Sequence, residues 1–305
     1  MKNFAIIGAG GYIAPRHIKA IKETGNRLVA VTDPSDSMGV LDNFFLDVRY
    51  FPEIERFDRH LEKLRYESDE KKVHYVSICT PNYLHDAHVR LALRSGCKAI
   101  CEKPLVINPW NLDQLLQVQK ETDGEINTIM QLRLHPEIVK IKQRLEKELL
   151  ENKRDRKHVV DLTYITGRGA WYHQSWKGIE ERSGGLLVNI GIHFFDMLLW
   201  LFGKAQNSKV IEYNNSAAKG ELELERAFVN WHLSVDVGRL PFKPLPGEMT
   251  TYRHITIDGE TLEFTKGFTD LHTKSYEKIL NGEGFGVKDA RDAIELVHLI
   301  KQSRI

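Results

Sequence analysis

The chain reads as a two-domain α/β protein, with a parallel βαβ half followed by an α+β half built on an open, mostly antiparallel sheet. Three observations carry that reading. Over the first ~130 residues short β-rich runs alternate with helical patterns, the rhythm of parallel strands joined by crossover helices. Beyond them, strand-like runs follow one another without intervening helices, as in an antiparallel sheet. A length of 305 residues leaves room for two domains of ~100–200 residues each.

Taken in order, Phe4–Ile7 is a short apolar strand that runs into Gly8-Ala9-Gly10-Gly11-Tyr12-Ile13-Ala14, and a helix follows with Ile18 and Ile21 on one face. Leu28–Thr32 is the second strand and ends at Asp33. Tyr75–Cys79 is a third, leading to Thr80-Pro81-Asn82 and a helix near Leu84–Arg94. Ala99–Cys101 ends at Glu102-Lys103-Pro104, and Asn127–Leu132 completes this half. The boundary falls near residue 130, dividing 1–130 from 131–305. The charged stretch Arg144–His158 reads as a helix ending in a solvated connection. Strands then follow at Val159–Ile165, Lys209–Tyr213, Phe228–Val235, His254–Ile257 and Thr261–Phe264. The last two flank Asp258-Gly259, a two-residue hairpin signal. Helices over Asp270–Leu280 and Val287–Lys301 close the chain.

Lys and Arg number 43 against 42 for Asp and Glu, so no global field gathers nucleic acid or an acidic membrane. Cys79, Cys97 and Cys101 match no zinc spacing, and they read as reduced, buried thiols of a cytoplasmic protein with no metal. Phe4–Ile7 is too short for the core of a signal peptide. His193–Phe202 is broken by Asp196 and falls far short of the ~20 residues needed to span a bilayer.

The glycine turn after the first strand suits a dinucleotide. Glycines let the backbone bend tightly, and the pyrophosphate then approaches a helix N-terminus with no Cβ in its way. The position of a third glycine is taken by Ile13, and Ala14 supplies a small residue if the turn is one longer. Asp33 ends the next strand 23 residues after Gly10, near the ~20 expected of the acid that holds a ribose 2′-hydroxyl. A carboxylate there repels a 2′-phosphate, so NAD is expected over NADP and the first domain is a Rossmann domain.

Two places suit catalysis. Lys103 follows a parallel strand at its C-terminal end, where open α/β sheets bind ligands; a lysine there can bond a substrate hydroxyl and exchange a proton. In the helical segment from Leu187, Asn189 and His193 lie four apart, with Asp196 three further on. An imidazole can take a proton from an alcohol while Asn189 or Asp196 orients it.

With these residues in hand the sequence resembles the Gfo/Idh/MocA oxidoreductases. The resemblance rests on the early glycine turn with His17 behind it, Thr80-Pro81-Asn82-x-x-His85, Glu102-Lys103-Pro104 and Gly185…Asn189-x-Gly191-x-His193-x-x-Asp196, together with Tyr276 and Ala290…Ala293. Gly11–His17, Asp161–Thr166, Trp171-Tyr172…Ser175-Trp176-Lys177-Gly178 and Gly267–Thr273 resemble one branch, the UDP-N-acetyl-D-glucosaminuronate 3-dehydrogenases of the WbpB/WlbA type, which serve lipopolysaccharide O-antigen synthesis.

The resemblance implies that Lys103 bonds the sugar C3 hydroxyl, with a cis bond to Pro104, and that His193 is the general base. Many relatives carry Asp where this chain has Asn189, which leaves the base open between Lys103 and His193. It implies NAD contacts from Gly8, Gly10, Gly11, Tyr12, Ile13, Asp33, Thr80, Pro81, Asn82, His85, Glu102, Lys103 and Gln131. A UDP-linked amino-sugar uronate carries about three negative charges and needs local cations, for which Arg133, Arg168 and Lys177 are the candidates. Trp171, Tyr172 and Trp176 either stack on sugar or base or pack in the core, with Ser175 beside them. His272 and Tyr276 either face the pocket or pack against the sheet. A homo-oligomer, dimer or tetramer, is expected, with 2-oxoglutarate as a candidate electron acceptor. The alternatives are another sugar or polyol dehydrogenase of the family, such as one for inositol, and a non-catalytic NAD-binding sensor.

Overall fold

A computed structural model describes residues 1–151, 156–245, 250–262 and 268–303. The chain forms two compact units, residues 1–131 with 270–291, and residues 132–269 with 292–305.

In the first unit β1 (Asn3–Ile7), β2 (Arg27–Thr32), β3 (Arg49–Phe51), β4 (Tyr75–Ile78), β5 (Lys98–Cys101) and β6 (Ile126–Thr128) form one sheet in the order β3-β2-β1-β4-β5-β6. Every pairing is parallel. Helices α1 (Ala14–Glu23), α2 (Ile54–Glu67), α3 (His85–Arg94) and α4 (Trp110–Thr122) make the crossovers. β1 is buried along its whole length, as a central strand covered on both faces must be. The order reverses between β1 and β4, and the crevice at the strand ends there is where such sheets bind ligands.

The second unit opens with α5 (Pro136–Leu150), whose Ile138, Ile141 and Leu145 recur at helical spacing and are buried. It begins ahead of the charged stretch at 144 because that apolar stripe, not the charge, sets the helix. Strands β7 (His158–Thr166), β8 (Ala205–Tyr213), β9 (Ala217–Leu224), β10 (Ala227–Ser234), β11 (Thr251–Ile257) and β12 (Glu260–Thr261) form the order β12-β11-β7-β10-β9-β8. Only β10 with β7 is parallel; the other pairings are antiparallel. Short helices α6 (Ala170–Gln174) and α7 (Glu180–Ser183) precede a π-helical turn at Leu187–Gly191 and then α8 (Ile192–Phe202). The stretch Glu180–Phe202 is long and apolar enough to cross a membrane, but most of it is buried. Phe195 meets Trp231 edge-on at 5.4 Å, which makes this the core helix of the unit.

The chain then supplies α9 (Leu271–Leu280) to the first unit, although the sequence places Asp270–Leu280 in the second domain. Tyr276 explains the difference: it is fully buried and its ring stacks on Phe4 of β1 at 5.7 Å. Helix α10 (Val287–Gln302) ends the fold.

Sequence periodicity misses the short helices α6 and α7 and four further elements. β3 is only three residues long, α2 is highly charged with only Phe57 and Leu61 buried, α4 is weakly amphipathic, and β9 alternates with Glu and Lys. The expected strand to Leu132 stops at Thr128, and residues 131–134 form a 3₁₀ turn. The part of the expected strand Thr261–Phe264 beyond Leu262 lies outside the described residues.

Trp231 anchors the second sheet and is 2% exposed. Trp231→Ala is expected to destabilise the protein by about 3–5 kcal/mol, read as a lower denaturant midpoint at unchanged slope.

Candidate active site

Gly8 turns out of β1 with φ of +88°, and a Cβ there would lie 2.8 Å from the Cys79 carbonyl carbon and the Thr80 nitrogen. Only glycine permits both that dihedral and that approach. The Gly10 amide donates to Asp33 Oδ2 at 2.9 Å, and the Ser35 amide donates to Oδ1 at 2.8 Å. Asp33 is thus fixed against the turn, and each carboxylate oxygen keeps a lone pair for a hydroxyl. A Cβ on Gly10 would come within 3.1 Å of that carboxyl group. Gly11 continues the turn, Ala14 is fully buried at the start of α1, Ile13 precedes it, and Tyr12 is 88% exposed.

After β4, Thr80 Oγ1 lies 3.0 Å from His88 Nδ1, and Pro81 and buried Asn82 enter a 3₁₀ turn. His85 follows, also an expected cofactor residue. It is buried, with Nδ1 2.6 Å from the Pro104 carbonyl oxygen and Nε2 2.9 Å from that of Thr80. It ties together the loops after β4 and β5. Burial holds its pKa below the ordinary histidine value, although both carbonyls favour the charged form. Lys103 is half-buried and its bond to Pro104 is cis. Gln131 Oε1 is buried and has no hydrogen-bond partner.

Glu102, His272 and Tyr276 are buried. Glu102 Oε1 lies 2.9 Å from His17 Nε2 and 2.9 Å from His272 Nε2. His17 Nδ1 lies 2.7 Å from the Tyr276 hydroxyl, itself 2.6 Å from Ser77 Oγ. Burial alone would raise the Glu102 pKa, yet the two imidazoles hold it well below the usual carboxylate range. Burial lowers the His17 pKa and raises that of Tyr276 well above the phenol value. The sequence singles out His17, Glu102, His272 and Tyr276 but neither Ser77 nor their mutual contact, since they are up to 259 positions apart.

In the second unit the π-helical turn inserts ahead of His193, so the expected simple helical face is broken at the functional segment, a common place for such turns. A Cβ on Gly191 would lie 2.8 Å from Leu233 Cδ1. Asn189 donates to the Tyr172 hydroxyl at 3.0 Å, and both residues are buried. His193 is half-buried. Asp196 accepts from Arg133 Nε at 3.1 Å and Nη2 at 2.7 Å. Arg133, a candidate for the substrate anion, is buried and pairs with Asp196 within the unit. Arg168 is exposed. Lys177 lies 4.4 Å from the Trp176 ring centroid and 5.8 Å from that of Trp171. Burial and then the Arg168 charge lower its pKa. Ser175 accepts from the Lys177 amide at 3.3 Å and fixes this turn. A basic, aromatic surface results, suited to anionic sugars.

The first unit fits a dinucleotide, with a turn that a Cβ would fill, a carboxylate beside it and the orphaned oxygen of Gln131. The ligand atoms of His17, Glu102 and His272 lie within 4.8 Å of one another, a composition that also suits a metal.

With that geometry, the chain belongs to the Gfo/Idh/MocA oxidoreductase family. Residues 2–128 match its NAD-binding Rossmann fold and residues 147–242 its C-terminal alpha/beta domain. It is similar to the WlbA (WbpB) dehydrogenase of Thermus thermophilus, solved with NAD and alpha-ketoglutarate, at 46% identity, covering 100% of this chain and 96% of that one with a TM-score of 0.93. The same enzyme solved with NAD and UDP-GlcNAcA gives 46% identity, coverage of 99% and 95%, and a TM-score of 0.91. The 2,7-anhydro-N-acetylneuraminate hydratase of Mediterraneibacter gnavus is 28% identical over 76% of this chain and 58% of its own length. The chain spans about half the length of such sequence relatives.

Buried histidines make stability depend on pH. Burial lowers the pKa of His17 and His85, and lowers that of His88 to about 4. Above the ordinary value of 6.5 neither the folded nor the unfolded chain protonates them. As pH falls below it the unfolded chain binds protons that the folded chain refuses, so stability drops by at most about 1.4 kcal/mol per group per pH unit. Thermal unfolding is expected to move to lower temperature from pH 7 to pH 5, less so in His88→Gln; a flat profile contradicts this.

Proposed function

We propose that the protein oxidises the C3 hydroxyl of UDP-N-acetyl-D-glucosaminuronate to the 3-keto sugar with NAD as hydride acceptor. The observation that carries this reading is the 46% identity, along essentially the whole of both chains, to a dehydrogenase solved with NAD and UDP-GlcNAcA. The residues are consistent with it. The Gly8–Gly11 turn and Asp33 hold the cofactor, whose nicotinamide supplies the hydride-accepting carbon when bound. Lys103 bonds the C3 hydroxyl, and His193 takes its proton with Lys103 as the competing base. Arg168 and Lys177 neutralise substrate charge while Trp171 and Trp176 cover an apolar face of it.

In this reading 2-oxoglutarate reoxidises the cofactor: NADH and a proton reduce its ketone to 2-hydroxyglutarate. The structure of the Thermus relative with alpha-ketoglutarate favours that acceptor. The product feeds synthesis of lipopolysaccharide diacetamido uronic acids in the cytoplasm, and the protein works as a homo-oligomer.

The test is purified protein with NAD, 2-oxoglutarate and UDP-GlcNAcA, followed by product mass. A 3-keto uronate is expected; turnover only with free polyols such as inositol contradicts the reading. Lys103→Met and His193→Asn are each expected to lower kcat by about 10²–10⁴-fold while NAD still binds by calorimetry. Undiminished function in both would mark a sensor.

A further inference from the structure

Glu102 has no catalytic step in the account above, yet it is 5% exposed and gathers donors from three separate segments. Its Oε1 faces His17 Nε2 of α1 and His272 Nε2 of α9, both at 2.9 Å, and the Lys103 amide lies 3.3 Å from its Oε2. The bonding has one consistent direction. A carboxylate can only accept, so both Nε2 atoms carry protons. A neutral His17 then accepts at Nδ1 from the Tyr276 hydroxyl, and that oxygen accepts from Ser77 Oγ. With both imidazoles neutral the cluster holds one negative charge, buried, at the carboxyl end of β5 beside Lys103.

We propose that His17 and His272 are positioning residues that hold Glu102 as a permanent anion, and that its field makes the cofactor site favour the oxidised, cationic nicotinamide over the reduced, neutral one. The inference rests on NAD binding at the end of this sheet and not on the identity of the sugar. A fixed charge acts strongly across a dry interior, where screening is weak. It lowers the affinity ratio of NADH to NAD without touching either form.

The test is calorimetric binding of NAD and NADH, with no sugar present. Glu102→Gln keeps size and removes charge; it is expected to shift the ratio toward NADH by about tenfold, or about 1.4 kcal/mol. Glu102→Asp, and His17→Gln with its amide donor, are expected to keep the ratio within about twofold. Equal weakening of both forms in Glu102→Gln means a merely structural role and overturns the proposal. Should that variant not fold, the unmodified protein decides. The titratable groups facing the carboxylate are His17, His85, His272, Tyr276, Cys79, Cys101 and Lys103, and the ratio is expected to stay constant from pH 6 to pH 8. A tenfold change there overturns the proposal. So does one equivalent of zinc by elemental analysis, because a metal on the two Nε2 atoms would move each imidazole proton to Nδ1 and make the cluster net positive. Loss of UDP-GlcNAcA turnover with the ratio shift intact would refute only the sugar assignment.

Discussion

A buried carboxylate is the constraint on which the first unit turns. Glu102 is tolerated in the interior only because two imidazole donors and a backbone amide surround it. Removing one partner of such an arrangement leaves a charge without compensation. The partners come from α1, β5 and α9, so the chain must return after residue 269 to complete the domain begun at residue 1. The same contacts fix the strand end that carries Lys103. Stability and the geometry of the cofactor half are therefore one problem.

The second unit solves a similar problem differently. Arg133 and Asp196 form a two-bond ion pair that joins the turn after the first unit to the core helix. Lys177 stands beside exposed Trp171 and half-buried Trp176. The π-helical turn before His193 sets that residue apart from the apolar side of the helix, while Phe195 packs onto Trp231. A single segment thus serves both core and site.

Much of this was legible in the sequence, and the reasons are physical. β1, the glycine turn and Asp33 form a local unit of some thirty residues in which periodicity and turn chemistry agree, and the geometry matches. The mostly antiparallel second sheet was legible from consecutive strands and from Asp258-Gly259. What stayed hidden was non-local. No spacing rule links His17 to Tyr276 or Arg133 to Asp196, so their contacts could not be read from the sequence. The return of α9 to the first unit is hidden for the same reason, since a helical stripe shows that a face is buried but not against what.

The claim that hydride leaves C3 of the sugar acid is tested most directly by isotope transfer. UDP-N-acetyl-D-glucosaminuronate carrying deuterium at C3 is mixed with the holoprotein in a single turnover, and the reduced cofactor is examined by mass spectrometry and NMR. The account predicts deuterium at nicotinamide C4. Deuterium retained in the sugar, or released to solvent while unlabelled NADH forms, would contradict it.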